Sequence, residues 1–295
     1  MRSNHNGPLI AAVDLKNKVA LHLDMVQTVG RHEGETLLGY YSSTIIARKE
    51  KLQTLSKYLV ADAYFSKQPF VDELVNHDFH VVSRFRKDSN LRYLYHGLHP
   101  KGPGRPREYD GKVDFQNLRD QDFTACAVDE AGKWIAYYGR VNSPALNRDI
   151  GLVVVHDLKK DGSIKKHRIY LSTDLTLDGG QILHIYQCRF QQEFLYRDAK
   201  QELGLEHCQA YCWQKNDFHF NASLTVASLA KVAYNLKQPG EPTPPFSIAD
   251  AKTEHINEYQ ARRILSLCRI DLDPDLIEKV WPKVINFGLR TTKRA

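Results

Sequence analysis

Tyr186, Arg189, Glu193 and Lys200 stand three, four and seven residues apart within one stretch, GGQILHIYQCRFQQEFLYRDAKQELGLEHCQA, from Gly179 to Ala210. At about 100° of rotation per helical residue, positions this far from Tyr186 return close to one azimuth, so a helix here stacks the four side chains in a column. One carboxylate held between cations on a single helix face is an arrangement that can keep a divalent metal against a phosphodiester. Any one pair has a plainer reading: Arg189 and Glu193 alone make an ordinary i, i+4 contact worth roughly a few tenths of a kcal/mol on a solvated face.

The elements that must position these residues follow from the same stretch. Asp178 is an N-cap, Gly204 a C-terminal stop, and no proline intervenes, which predicts a helix over about 180–202. Ile182, Ile185, Phe190, Phe194 and Leu195 recur at spacings of three and four and supply its buried stripe.

The four residues and the surrounding RFQQEFLYRDAKQELGLEHCQA resemble the Y-x2-R-x3-E-x6-K signature of the DDE transposases of bacterial insertion sequences. The resemblance implies that Glu193 is the third catalytic carboxylate and that Tyr186, Arg189 and Lys200 contact transposon-end DNA. It implies metal-assisted phosphoryl transfer with Mg2+ or Mn2+ as cofactor. It further implies double-stranded DNA as partner, both transposon ends and target, leaves room for a homodimer, and sets the work in the bacterial cytoplasm at the nucleoid.

Toward the amino end, Pro8 to Leu15 and Val19 to Thr28 read as a β-hairpin closed by Lys16-Asn17-Lys18. A helix from about Tyr41 to Tyr58 follows, then YLVADAYF as a fully buried strand, a helix over Gln68 to Asn76 and a strand over His80 to Phe85. This order is most of an α/β fold of the RNase H-like kind, a mixed sheet whose parallel part needs crossover helices.

Asp62 ends YLVADAYF, and a carboxylate at the carboxyl end of a parallel strand lies in the crevice where open α/β sheets place their chemistry. Its plainer reading is a turn or capping aspartate. In the resembling transposases the second catalytic aspartate occupies this strand, so the resemblance pairs Asp62 with Glu193 on the metal. The chain departs from the family in one respect. The hairpin matches the family's second and third strands, and the first strand, with the first aspartate, is missing from the pattern. Asp14 and Asp24 are the available substitutes, but using either leaves the sheet one strand short. The simplest explanation is a reading frame that begins inside a transposase gene, which leaves open both a cleaving transposase and one made inactive by loss of the first aspartate.

Between Phe85 and Asp178 the core fold requires nothing. RFRKDSNLRYLYHGLHPKGPGRPREYDGKVDF interleaves Arg84, Arg86, Lys87, Arg92, Lys101, Arg105 and Arg107 with tyrosines. Cations beside aromatic rings suit phosphate neutralisation with stacking, so Arg84, Arg86, Arg105 and Arg107 are candidate DNA contacts; a solvated loop is the alternative. Short β-like segments follow, TACAVDEAGKWIAYYGRV, IGLVVVHDLKK and HRIYLSTDLTL, which make a β-rich insertion. The carboxyl end reads as helical. A largely buried helix spans Phe218 to Leu236, a proline-rich loop Gln238 to Pro245, two helices lie near 256–268 and 274–286, and a basic tail covers Thr291 to Ala295. The expected organisation is 1–91 and 179–237 as the RNase H-like core, 92–178 as the insertion and 238–295 as a helical carboxyl-terminal region.

Composition agrees without deciding. With 295 residues, 42% of them apolar, the chain can bury a real core, and a net charge of +6 favours a polyanionic partner only mildly. No run of 18 apolar residues predicts a membrane span, and five cysteines without framework spacing read as reduced thiols. His207, Cys208 and Cys212 lack a fourth zinc ligand at a fitting spacing, and His219 reads as a core or helix-start histidine. Three functions stay open: a transposase that cleaves and transfers strands at insertion-sequence ends, a non-catalytic DNA-binding remnant, and a generic RNase H-like nuclease.

Overall fold

The first two strands, Leu9–Asp14 (β1) and Val19–Met25 (β2), form the expected hairpin. Asp14 closes its turn by accepting from the amides of Lys16 and Asn17 with Oδ1 and from the Asn17 side chain with Oδ2. The computed structural model describes residues 9–28, 31–98, 105–237, 246–271 and 273–290. Lys101, the Gln238 to Pro245 loop and the tail from Thr291 fall outside the described residues. Those described divide into two compact units, one containing 13–18 and 27–190, the other 9–12, 19–26 and 191–290.

In the first unit, Thr36 accepts from the Gly39 amide and starts a helix earlier than expected, Leu37–Ile46 (α1). A short second helix, Lys49–Gln53 (α2), follows, and the chain leaves helical geometry well before Tyr58 because Tyr58–Val60 (β3) pairs with a neighbouring strand. The expected buried strand YLVADAYF is only these three residues, all half-buried. Asp62 Oδ1 accepts from the Tyr64 amide at 2.8 Å and turns Ala63–Phe65 into a 3-10 helix. Gln68–Val75 (α3) then buries Phe70, Val71 and Leu74 and crosses over to His80–Phe85 (β4), which lies parallel to β3.

The insertion does not stand apart from this parallel pair. Its strands are Arg92–Leu94 (β5), Tyr109–Lys112 (β6), Phe123–Val128 (β7), Trp134–Ser143 (β8), Arg148–Leu158 (β9) and Ile164–Ser172 (β10). β10 runs antiparallel to β4, with Tyr170 opposite Arg84 and Leu171 opposite Ser83, so one eight-stranded mixed sheet results in the order β3-β4-β10-β9-β8-β5-β6, with β7 also on β8. Seven successive residues of β9, from Ile150 to His156, are buried, as a central strand covered on both faces requires. Gly179–Cys188 (α4) covers one face, packing Ile182, Leu183, Ile185 and Tyr186 against Val82, Val153, Val155 and Tyr170. A Cβ on Gly179 would lie 2.6 Å from Cys126 Sγ and 2.7 Å from Tyr138 Cβ, so only glycine lets α4 begin this close to the sheet.

In the sequence reading the hairpin shares a sheet with β3 and β4, but it forms its own two-stranded sheet. The reason lies in the second unit, where Trp213–Lys237 (α6) takes the hydrogen bonds of β2: the His22 amide donates to Ser228 Oγ at 2.7 Å, and the Met25 amide to Asn221 Oδ1 at 2.9 Å. The helix expected over 180–202 is interrupted at Arg189, whose own backbone angles stay right-handed helical, and resumes as Phe190–Glu202 (α5). Of its expected buried stripe, Ile182, Ile185 and Leu195 are buried, whereas Phe190 and Phe194 are 48% and 42% exposed. Gly204, at φ +66°, follows the end of α5 as the stop the sequence predicts. The helix expected over 256–268 starts sooner, as Ile248–Cys268 (α7), because Ser247 caps it on the Asp250 amide; Pro274–Ile285 (α8) follows. Among the described residues, no helix is long and apolar enough to cross a membrane.

α6 also departs from expectation. Leu224, Ala227 and Ser228 are buried, but Phe218, Val226, Leu229 and Leu236 are exposed, because these four lie off the face of the helix that meets β2, α5 and α7.

Where β2 meets α6, His22 Nε2 lies 2.9 Å from Asn221 Oδ1, while its Nδ1 is buried with no hydrogen-bond partner. Burial holds this imidazole below its ordinary pKa, outweighing the opposing pulls of Asn221 and Asp24. A histidine that binds its proton less readily folded than unfolded contributes stability that is complete above about pH 6.5 and is lost as pH falls toward the depressed folded value. We expect the protection factors of the β2 amides, taken against the intrinsic exchange rate at each pH, to fall on acidification through that window, and His22→Gln to flatten the dependence.

Candidate functional site

Asp62 follows β3 at the carboxyl end of the parallel pair, and the neighbouring strand fixes its main chain. The Oγ of fully buried Ser83 on β4 lies 3.0 Å from the carbonyl oxygens of both Ala61 and Asp62 and 2.7 Å from Ser66 Oγ, which in turn donates to the Arg84 carbonyl. With Oδ1 held by Tyr64, the exposed carboxylate keeps Oδ2 without a partner among the described residues. Ser83→Ala would take the hydroxyl donor from the inward Ala61 carbonyl, the Asp62 carbonyl still accepting from the Phe65 amide, an expected cost of about 1–3 kcal/mol. Urea denaturation would measure it, and Ser83→Thr should recover part of it.

One residue beyond Ser83, Arg84 stands on β4 opposite Tyr170 of β10, and the Tyr170 ring packs on Tyr186 of α4 at 4.7 Å between centroids. Arg189 lies at the end of the same helix, its guanidinium carbon 5.8 Å from the Tyr186 ring and 5.0 Å from Phe190. The Tyr186 hydroxyl is pushed up by burial, against the charge of Arg189, a hydrogen bond with Arg189 and the charge of Arg84. Two of the expected DNA contacts, Arg84 and Arg189, therefore converge on one tyrosine at the sheet end that carries Asp62. Tyr186 itself is 5% exposed, so any share it has in a contact passes through the arginine it supports.

The second unit carries the other half of the signature. Glu193 is exposed in the first turn of α5, and Lys200 in its last turn pairs with Glu206 and lies 4.8 Å from the Tyr196 ring. The pairing with Glu206 raises the Lys200 pKa, so the amine stays cationic.

The arm around β6 differs from a bare cationic loop. Arg105 pairs with Glu108 at 2.9 Å, and Arg107 with Asp110, which also holds Arg119 at 2.8 Å; Arg107 sits over Tyr95 as well. Both pairs have i, i+3 spacing within RPREYD, a signal present in the sequence that the reading of its cations passed over. Arg86 is exposed just past β4. Ser83, Ser66 and Tyr170, which fix Asp62 and Tyr186, could not be singled out from the sequence, because each acts through a partner brought to it by strand pairing.

A divalent ion such as Mg2+ is a hard acceptor of oxygen ligands and keeps several waters. Exposed carboxylates at Asp62 and Glu193 fit it in kind. Among the described residues no group of three His, Cys, Asp or Glu side chains gathers in a way that could hold a metal. Asp14, which the sequence offered as a first aspartate, has both oxygens accepting hydrogen bonds in its turn, and its pKa is lowered chiefly by Asn17.

No curated protein matches the chain at a significant level. The family model of the transposase DDE domain matches residues 8–229, three quarters of the sequence, and takes in Asp62, Arg84, the insertion and the whole Tyr186 to Lys200 signature. Such proteins generally use a divalent metal, act on DNA and have the mixed α/β architecture found here. The chain belongs to the DDE transposase family.

Proposed function

We propose that this chain is a bacterial insertion-sequence transposase that binds double-stranded DNA at transposon ends and cleaves it with Mg2+ or Mn2+ held by Asp62 and Glu193. Membership of the family carries the reading, and the position of Asp62 at the sheet end where Arg84 stands on the paired strand supports it. Arg84 and Arg189 neutralise phosphates, and Tyr186 holds Arg189 in place for that contact. Lys200 adds a further cation, fixed by Glu206. Arg86, Arg105 and Arg107 are secondary contacts, the last two weakened by their own acidic partners. A metal at this site would lower the pKa of the attacking water and stabilise the leaving oxygen. The partners are DNA and a second copy of the chain, and the place of action is the bacterial cytoplasm at the nucleoid.

A second reading, a DNA-binding member without cleavage, is favoured by one observation: Asp14, a substitute the sequence offers for a first aspartate, already accepts three hydrogen bonds within its own turn. One assay separates the two. Labelled transposon-end duplex is incubated with the full chain and Mg2+ or Mn2+, and nicking is compared with retention on a filter across salt concentrations. Metal-dependent nicks at the transposon end support the first reading; tight, salt-sensitive binding without nicks supports the second; weak binding indifferent to end sequence, with general cutting, would point to an ordinary nuclease.

A further inference from the structure

α6 is amphipathic in an unusual sense, because its charges face inward. One face carries Asn221, Leu224, Ala227 and Ser228 toward β2, and buried Lys231 toward Asp198 of α5 at 4.0 Å. The opposite face presents Phe218 (76% exposed), Val226, Leu229 (61%), Val232 and Leu236 (74%). Between Lys215 and Lys237 only Asp217 and Lys231 are charged, and neither is exposed. The outer face thus runs without charge from Phe218 to Leu236, about 27 Å at the rise of an α-helix.

Such a face does not suit DNA, which is bound through cations, nor a bilayer surface, which is met by an apolar face flanked by lysines and arginines. It suits another apolar helix. We propose that it is the contact between two copies of this chain, α6 lying antiparallel to α6 of the second copy across a two-fold axis near Val226 and Leu229. Two features favour a second copy. A charge near such an axis meets its own equivalent, so an isologous contact needs a neutral centre, and this face is neutral throughout. Its five large side chains, at their exposures, offer on the order of 600 Å² per copy, about 1,200 Å² for the pair, which reaches the range of specific interfaces. The proposal names the face for the second copy and is independent of metal and cleavage.

The test uses the full chain without DNA or metal, so its failure leaves the cleavage reading where it stood. Sedimentation equilibrium at micromolar concentration should give a species of twice 33.9 kDa. Leu229→Glu and Leu229→Lys each place like charges together at the axis and should weaken self-association at least about 100-fold. Mixing the two variants should restore the dimer, because the charges then become opposite. Circular dichroism checks that each variant keeps its helix content, which the exposure of Leu229 makes the expected result. A wild-type monomer overturns the proposal. Variants that dimerise as the wild type does, or that stay monomeric when mixed, overturn it too.

Discussion

Glu193→Ala is expected to abolish metal-dependent nicking of transposon-end DNA while leaving DNA binding within about threefold of the parent. Glu193 is acidic, so it adds nothing to phosphate neutralisation, and its removal relieves a repulsion if it changes affinity at all. Its loss takes away one of only two carboxylates assigned to the metal. A drop on the order of 10³-fold or more corresponds to about 4 kcal/mol of transition-state stabilisation at 1.36 kcal/mol per decade. Asp62→Asn is the sharper companion. The amide oxygen can still accept from the Tyr64 amide, so the 3-10 turn is kept and only the charge is removed. Single-turnover nicking rates and filter-binding constants measured on the same preparations would decide. If either variant cuts at the parental rate, that carboxylate holds no metal. If the parent binds tightly and does not cut, the chain is the non-catalytic member of its family.

Tyr186→Ala should have the largest effect on folding. The side chain is buried between α4 and the sheet, against Tyr170 and beside Val82 and Val153, and truncating an aromatic residue in such a place costs about 3–5 kcal/mol. That is a large share of the stability of an ordinary domain, so the urea midpoint should fall steeply. Tyr186→Phe divides the two roles of the residue. It keeps the packing and should cost less than about 1.5 kcal/mol, yet it removes the hydroxyl that bonds Arg189. Its expected signature is near-parental stability with DNA affinity several-fold lower. A Tyr186→Phe protein that binds as the parent does would mean that Arg189 needs no support from the ring, and an undestabilised Tyr186→Ala would contradict the packing.

The two ends of the signature helix were legible because the signals are local. Asp178 forms a full capping box with Gln181, and Gly204 takes the left-handed conformation after α5. The β4 strand over His80–Phe85 matched residue for residue, since its apolar run is bounded by a turn on each side. YLVADAYF misled because its apolar letters suit a strand, while the Asp62 carboxylate, which ends that strand, acts through one hydrogen bond that composition does not reveal. The buried stripe of 180–202 failed at Phe190 and Phe194 for a different reason: periodicity marks an apolar face without saying what covers it, and the same holds for α6. Asp62 was legible as a candidate from its place after a strand. The convergence of Arg84, Tyr186 and Arg189 was not, because it depends on β10 pairing with β4 across 86 residues of sequence at the Tyr170 and Arg84 register.

The bonds by which α6 holds β2 join residues 196 and 206 positions apart. At roughly 5–20 residues per second of synthesis, the hairpin therefore waits about 10–40 s on the ribosome before its edge partners exist. During that interval β2 offers bare amides to any passing strand, so a chaperone that shields nascent chains should raise the yield of native protein more than a change of refolding buffer does.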